Sequence, residues 1–232
     1  MEITTDNKEF VETYAQMDDA ENKLIYPTIF DLLGDPAGKR VVDYGCGEGQ
    51  LAYILANSGA DVIGLDVSQE MITRAKARWQ HPKLRFEQTQ NNAINAEEGT
   101  IDAVLSNLVF MMVPSLDDLA KIVSESEKAL RPNGRLIFTI TTPAFIDKEF
   151  PTFRTIFANG FRYNESGQPY QFVLRSKDGR EITSPTFRDY HYTWEDYINL
   201  ICNSNLRLNK VKEITIPESN HPLYVIFSAE KL

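Results

Sequence analysis

Cysteine is scarce: Cys46 and Cys202 are the two in a chain of 232 residues. They stand far apart with no paired spacing, which argues against a disulfide framework or a zinc site and suits a reducing compartment. Basic charge is short too, with 24 Lys and Arg against 33 Asp and Glu and a formal net charge of -9. A surface that tracks nucleic-acid phosphates needs the opposite balance, so nucleic acid is not an expected partner. No apolar run approaches the roughly 20 residues that cross a bilayer. The opening Met-Glu-Ile-Thr-Thr-Asp-Asn-Lys-Glu lacks the basic-then-apolar order of a signal peptide. The expectation is a soluble, cytoplasmic protein without membrane association. Internal repeats and low-complexity tracts are missing, and no metal-ligand cluster stands out, so no metal is expected. Oligomeric state is left open.

What the chain does have is a 42% hydrophobic composition, enough at this length for one sizeable core, and a single domain over 1–232 is expected. Its focus is the run Val41-Val42-Asp43-Tyr44-Gly45-Cys46-Gly47-Glu48-Gly49. The valines suit a buried parallel strand, and glycine at every second position lets a ligand approach the main chain. The apolar-periodic Gln50 to Ala56 that follows reads as a helix with its N-terminus toward that ligand. Gln50 stands where a dinucleotide-binding fingerprint has its third glycine. Asp43 and Glu48 flank the loop and would repel a pyrophosphate, so a ligand with a cationic group is favoured. A second strand, Val62 to Leu65, ends at Asp66, about 20 residues after the loop, where a carboxylate binds ribose hydroxyls.

The set Asp43, Gly45, Gly47 and Gly49 resembles the first motif of the class I S-adenosylmethionine-dependent methyltransferases, here of the small-molecule type. The resemblance extends over roughly 38–142 through Asp66, the fourth-strand run Ser106-Asn107-Leu108-Val109 and the turn Leu130-Arg-Pro-Asn-Gly-Arg-Leu136. It implies an α/β fold, a doubly wound, mostly parallel seven-stranded sheet of the Rossmann-like methyltransferase type. An N-terminal helical cap (1–36) would precede a cofactor-binding core (37–143), an aromatic-rich insert after strand 5 (144–192) and a closing helix with a strand hairpin (193–232). The cofactor implied is S-adenosyl-L-methionine. Asp43, Gly45, Cys46, Gly47 and Gly49 would hold it at the first loop, and Asp66, Val67 and Met71 at the second. Gln90 and Asn91 stand where the family often has an acid that accepts from the adenine amine, and amides can also accept. Ser106 and Asn107 would lie beneath the transferring methyl; the absence of Asp-Pro-Pro-Tyr or Asn-Pro-Pro-Tyr there counts against methylation of adenine in DNA.

Around this core, Asp6 to Met17 reads as a short amphipathic helix and Ala20 to Leu33 as a second one interrupted near Pro27. Tyr14, in the first, either meets the methionine end of the cofactor or packs into the cap. Ser68 caps a helix through Trp79, Leu84 to Gln88 is a third strand, Ile101 to Ser106 a fourth, Leu116 to Leu130 a helix and Arg135 to Thr141 a fifth strand. Phe110, Met111 and Met112 either line an apolar pocket or fill core.

From Ala144 to Tyr192, 11 of 49 residues are aromatic against 11% in the whole chain, which places substrate choice there. Gln171 to Ser176 and Arg180 to Ser184 read as a β-hairpin. Phe150, Phe153, Phe157 and Phe161, at spacings of three and four, predict a helix with an aromatic face that either covers the active site or anchors the insert. Thr193 and Asp196 have capping-box spacing ahead of a helix from Trp194 to Asn203. His191, just before it, is either a proton acceptor or a structural residue bonded to the backbone, and Tyr190 is a second candidate. His81 and His221 read as loop residues. Val211 to Ile216 and Leu223 to Glu230 complete the chain as strands.

The reading that follows is methyl transfer to oxygen or nitrogen of a small, partly apolar metabolite. Its alternatives are a protein or RNA methyltransferase, a non-methylating protein that keeps the fold, and, least favoured, an NAD-dependent oxidoreductase.

Overall fold

The computed structural model describes residues 20–90, 92–144, 153–176, 180–215 and 221–232. The expected helix over Asp6 to Met17, with Tyr14, and Phe150 lie outside these residues. β1 (Arg40–Tyr44) is the hub: it pairs in parallel with β2 (Asp61–Asp66) on one side and β4 (Ile101–Asn107) on the other. Val41 and Val42 are fully buried on opposite faces, as a strand covered on both sides requires. β3 (Leu84–Gln88) extends the sheet beyond β2, and β5 (Leu130–Thr141) beyond β4, both parallel. The last two strands, β9 (Leu206–Thr215) and β10 (Pro222–Lys231), form an antiparallel pair, and β10 also runs antiparallel to β5. The seven-stranded order is β3-β2-β1-β4-β5-β10-β9, so β10 alone is reversed and the strand order turns back between β1 and β4. Ligands of open α/β sheets bind outside the carboxyl ends of strands at such a reversal.

Helices α1 (Ala20–Leu33), α2 (Gln50–Asn57), α3 (Gln69–Arg78), α4 (Leu116–Ala129) and α5 (Trp194–Cys202) flank the sheet. Pro27 does not interrupt α1: the helix continues through it, with the ring on the exposed side. α4 starts at Ser115, whose Oγ accepts from the Asp118 N–H, and α5 at Thr193, whose capping box with Asp196 is complete. At the far end of α4, the Lys231 ammonium donates to the carbonyls of Glu127 (2.7 Å) and Leu130 (2.9 Å), closing that helix with a cation from the last strand. The turn expected over Arg131 to Gly134 appears as an irregularity within β5, with Asn133 in the left-handed region and the β4 pairing skipping from Leu130 to Arg135.

After β5 a second sheet forms in the order β6-β7-β8 from β6 (Phe153–Ile156), β7 (Gln168–Arg175) and β8 (Glu181–His191), all antiparallel. The β7–β8 hairpin matches the sequence reading; β6 does not. Its Phe-Arg-Thr-Ile has the aromatic and β-branched character that pairing strands favour, and that outweighs the helical spacing of its phenylalanines. The aromatics still gather, through strand pairing: Phe153 meets Phe172 edge-on at 6.1 Å, and Phe157 lies 4.4 Å from Phe161 and 5.3 Å from Tyr170. One core cluster joins this small sheet and α1 to one face of the large sheet. A second fills the opposite face under α4 and α5, where Phe110, Phe138 and Phe227 stack.

Candidate functional site

A cavity of about 360 Å³ opens at the carboxyl ends of β1, β2 and β4, within the range of small-ligand sites, about 300–1,000 Å³. Its floor is the glycine loop. The N–H groups of Gly45 and Cys46 both donate to the Leu65 carbonyl, and that of Gly49 to the Cys46 carbonyl, so the loop turns sharply back over β2. Gly45 (φ 74°) has to be glycine, because a Cβ there would sit 2.3 Å from Val109 Cγ2. At Gly47 (φ 51°) a Cβ would meet nothing within 4 Å, and the residue lines the cavity with no side chain in the way of a ligand.

Asp66, at the end of β2, spans the two loops. Its Oδ2 accepts from the Gly47 N–H at 2.8 Å and its Oδ1 from the Ser68 N–H at 2.9 Å, while the carboxylate borders the cavity. Val67 and Met71 continue that wall with apolar surface, and Leu108 and Met112 face the cavity from the β4 side. Leu108 holds φ 59°, a backbone region that costs a non-glycine residue of order 1 kcal/mol or more and recurs at functional sites. Asn107 also lines the cavity; its Nδ2 donates to Asn22 Oδ1 of α1, and its buried Oδ1 has no hydrogen-bond partner among the described residues. Asn22 and Tyr26 in turn reach Gln50 Oε1, tying α1 to the start of α2.

The loop acids differ from expectation. Glu48 is absent from the cavity wall: its carboxylate pairs with Arg74 (3.5 Å) and Arg78 (3.1 Å), and its carbonyl accepts from Trp79 Nε1. Asp43 lies buried beneath the loop, 2% exposed, with Oδ2 unpartnered, and burial pushes its pKa up to about 7 despite a hydrogen bond from the Ala52 backbone. Neither provides the repulsive face that sequence spacing suggested. The acidity at the cavity comes from Asp66 and from Asp118 of α4.

Of the other expected residues, Cys46 packs under β2 beside Gly64, and burial raises its thiol pKa. Gly49 (φ 82°) leaves room for Phe86, which a Cβ would approach to 2.4 Å. Ser106 is buried with its Oγ unpartnered, off the cavity wall. Gln90 is exposed and outside the cavity, and Asn91 is not among the described residues; Thr89 and Asn92 of the same turn line the cavity instead. Phe110 and Met111 are core, whereas Met112 reaches the cavity. His191 and Tyr190 do not line it. His191 is 3% exposed, packed against Phe161 and Tyr163, with Nε2 2.7 Å from the Tyr163 carbonyl. That oxygen only accepts, so Nε2 carries the proton, and burial lowers the pKa of the ring. Tyr44, Val109 and Asp118 escaped the sequence reading. Asp118 offered one local signal, its place three residues after Ser115.

The open wall at Gly47, the doubly anchored carboxylate, the amide oxygen of Asn107, unpartnered among the described residues, and the apolar walls fit a nucleoside with an amino-acid arm. A mostly parallel sheet with this strand order and a cavity at its reversal defines a Rossmann-like fold. Residues 42–138 match the family model described as the methyltransferase domain. The chain is 28% identical over 169 residues to the ribosomal RNA small subunit methyltransferase C of Chromohalobacter salexigens, covering 69% of this chain and 50% of that protein. It is 23% identical over 211 residues to the N-demethylindolmycin N-methyltransferase of Streptomyces griseus, covering 87% and 86%. The first comparison thus spans about half of the curated relative. A solved S-adenosylmethionine-dependent methyltransferase from Mesorhizobium loti shares the fold, with a TM-score of 0.69, 24% identity and coverage of 89% of this chain and 97% of that one. Residues 42–138 thus carry a match to the methyltransferase domain, and the chain has the fold of solved S-adenosylmethionine-dependent methyltransferases.

Proposed function

We propose that the protein transfers a methyl group from S-adenosyl-L-methionine to an oxygen or nitrogen of a small, partly apolar metabolite. The observation that carries the first half is the Asp66–Gly47 pairing at the cavity, which offers a carboxylate to ribose hydroxyls beside a main chain open to the amino-acid arm. When bound, the cofactor supplies a methyl already activated on a sulfonium, with a neutral thioether as leaving group. The chain's own task is therefore alignment and the exclusion of water. Asp66 fixes the nucleoside, Val67, Met71 and Met112 enclose it in apolar surface, and Asn107 stands at the end of β4 with an acceptor oxygen to spare.

The small acceptor is supported by the β6-β7-β8 sheet and its aromatic cluster, which pack into the core beside α1. The relative that aligns along most of both chains is named for methylation of a small molecule. A second reading, an RNA acceptor, is supported by the ribosomal RNA methyltransferase relative, and the net charge of -9 opposes it. On the leading reading the protein works in the cytoplasm on a diffusible substrate.

The test is calorimetry with S-adenosylhomocysteine and NAD, followed by incubation with methyl-labelled cofactor in a cell extract split by molecular size. Binding of the adenosyl compound and label in the small-molecule fraction are expected. Label confined to RNA or protein would reverse the acceptor assignment, and binding of NAD alone would reverse the cofactor assignment.

A further inference from the structure

The cavity contains an acid that no expected motif accounts for. The turn after β3, Thr89-Gln90-Asn91-Asn92, has no carboxylate, and Gln90 points out to solvent. The wall near Thr89 and Asn92 is completed from α4, 26 residues further along the chain, by Asp118. Asn92 Nδ2 donates to Asp118 Oδ1 at 3.0 Å, and Ser115 Oγ donates to Asp118 Oδ2 at 2.6 Å. Asn92 makes its contact from the left-handed region, φ 60°, a conformation that Asn tolerates better than most residues. Both oxygens are thus fixed in place, and no described Lys or Arg forms an ion pair with the carboxylate. Each carboxylate oxygen accepts more than one hydrogen bond, so a held acid at a cavity wall still has capacity for a donor on the ligand.

Resting on the cofactor assignment above, we propose that Asp118, held by Asn92 and Ser115, accepts from the exocyclic amine of the purine and selects an adenosyl over an inosyl nucleoside. The two carboxylates stand apart: Asp66 is committed to the glycine loop, and Asp118 stands beside the separate turn after β3. A 6-oxo purine would bring a carbonyl oxygen toward Asp118 where an amine brings a donor. A site built to receive a donor strongly rejects a ligand that lacks one. Capping of α4 explains the Ser115 contact; it does not explain the second contact, from Asn92 on the cavity side.

The experiment is calorimetric titration of the full chain with S-adenosylhomocysteine and with S-inosylhomocysteine, which differs by a 6-oxo group. The wild type is expected to favour the adenosyl compound by about tenfold or more, the scale of one hydrogen bond to a charged group. Asp118→Ala should weaken adenosyl binding by a similar factor, leave inosyl binding nearly unchanged and bring their ratio close to one. Ser115→Ala, which releases Oδ2 and leaves Oδ1 on Asn92, should lower the ratio by less than Asp118→Ala does. A ratio unchanged in Asp118→Ala overturns the proposal while leaving the cofactor assignment standing; failure of the wild type to bind S-adenosylhomocysteine overturns that assignment instead. If Asp118→Ala does not fold, a crystal structure of the wild type with S-adenosylhomocysteine decides: the purine amine within hydrogen-bond distance of Asp118 supports the proposal, and an amine turned away from it refutes it.

Discussion

Asp66 holds Gly47 by the main chain, Oδ2 to N–H at 2.8 Å, so one carboxylate both shapes the glycine loop and faces the cavity the loop encloses. Asp66→Ala removes acceptors for the Gly47 and Ser68 N–H groups together with the proposed ribose contact. S-adenosylhomocysteine affinity should fall on the order of tenfold to a hundredfold, and the melting temperature should fall as well. Calorimetry and thermal denaturation of the purified variant measure the two effects.

Gly45 and Gly47 should separate packing from binding. Gly45→Ala pushes a methyl into Val109 and forces alanine to φ 74°, so it should cost about 1–3 kcal/mol of stability. Val109→Ala in the same chain should recover part of that loss, because the clash is with its Cγ atoms. Gly47→Ala meets no neighbour within 4 Å and should be milder in denaturant unfolding, while weakening the cofactor more than its stability loss suggests.

His191→Phe keeps a ring among Phe161 and Tyr163 and leaves the Tyr163 carbonyl without its donor. A loss of about 1–3 kcal/mol in stability is expected, with S-adenosylhomocysteine affinity and the pH profile of methyl transfer unchanged. A variant that keeps wild-type stability and loses transfer would return this residue to the chemistry.

Asp189 is buried on β8 with Oδ1 unpartnered and Oδ2 accepting from Tyr170 at 3.3 Å, and burial raises its pKa from 3.8 to about 7. A raised folded-state pKa means that the native state holds the proton more tightly than the unfolded chain. The associated stability is fully present below pH 3.8 and is lost as pH rises through about 7. Tyr170 and Tyr197 beside it are themselves raised and stay neutral in this window. The His191 ring on the same strand, whose pKa is lowered, has the opposite slope and is common to both proteins. Asp189→Asn should therefore match the wild type near pH 4 and exceed it by up to a few kcal/mol near pH 8, measured as the difference between paired urea titrations across pH.

The sequence displayed those features whose cause is local. Glycine at alternate places, Ser68 before an amphipathic run, and Thr193 with Asp196 each specify their own turn or cap, and the structure has them at the expected positions. The parallel, doubly wound sheet followed from the order of such units, and its seven strands from the family resemblance. Contacts between distant residues were hidden. Glu48 looked like a free charge at the loop because Arg74 and Arg78 approach it only once α3 has packed on β2. Phe153 and Phe157 had helical spacing, and the strand that holds Phe153 exists only through pairing with β7. In the turn after β3, the polar residues gave no sign that Asn92 would face the cavity and Gln90 the solvent, since that depends on the backbone at φ 60°.

The Lys231 contacts to Glu127 and Leu130 have a consequence in time. During synthesis α4 leaves the ribosome a hundred residues ahead of the cation that satisfies its final carbonyls, so the helix must wait with that end exposed to water. The lysine reaches those carbonyls only once β10 has paired with β5, so the end of α4 and the antiparallel edge of the large sheet depend on the same strand.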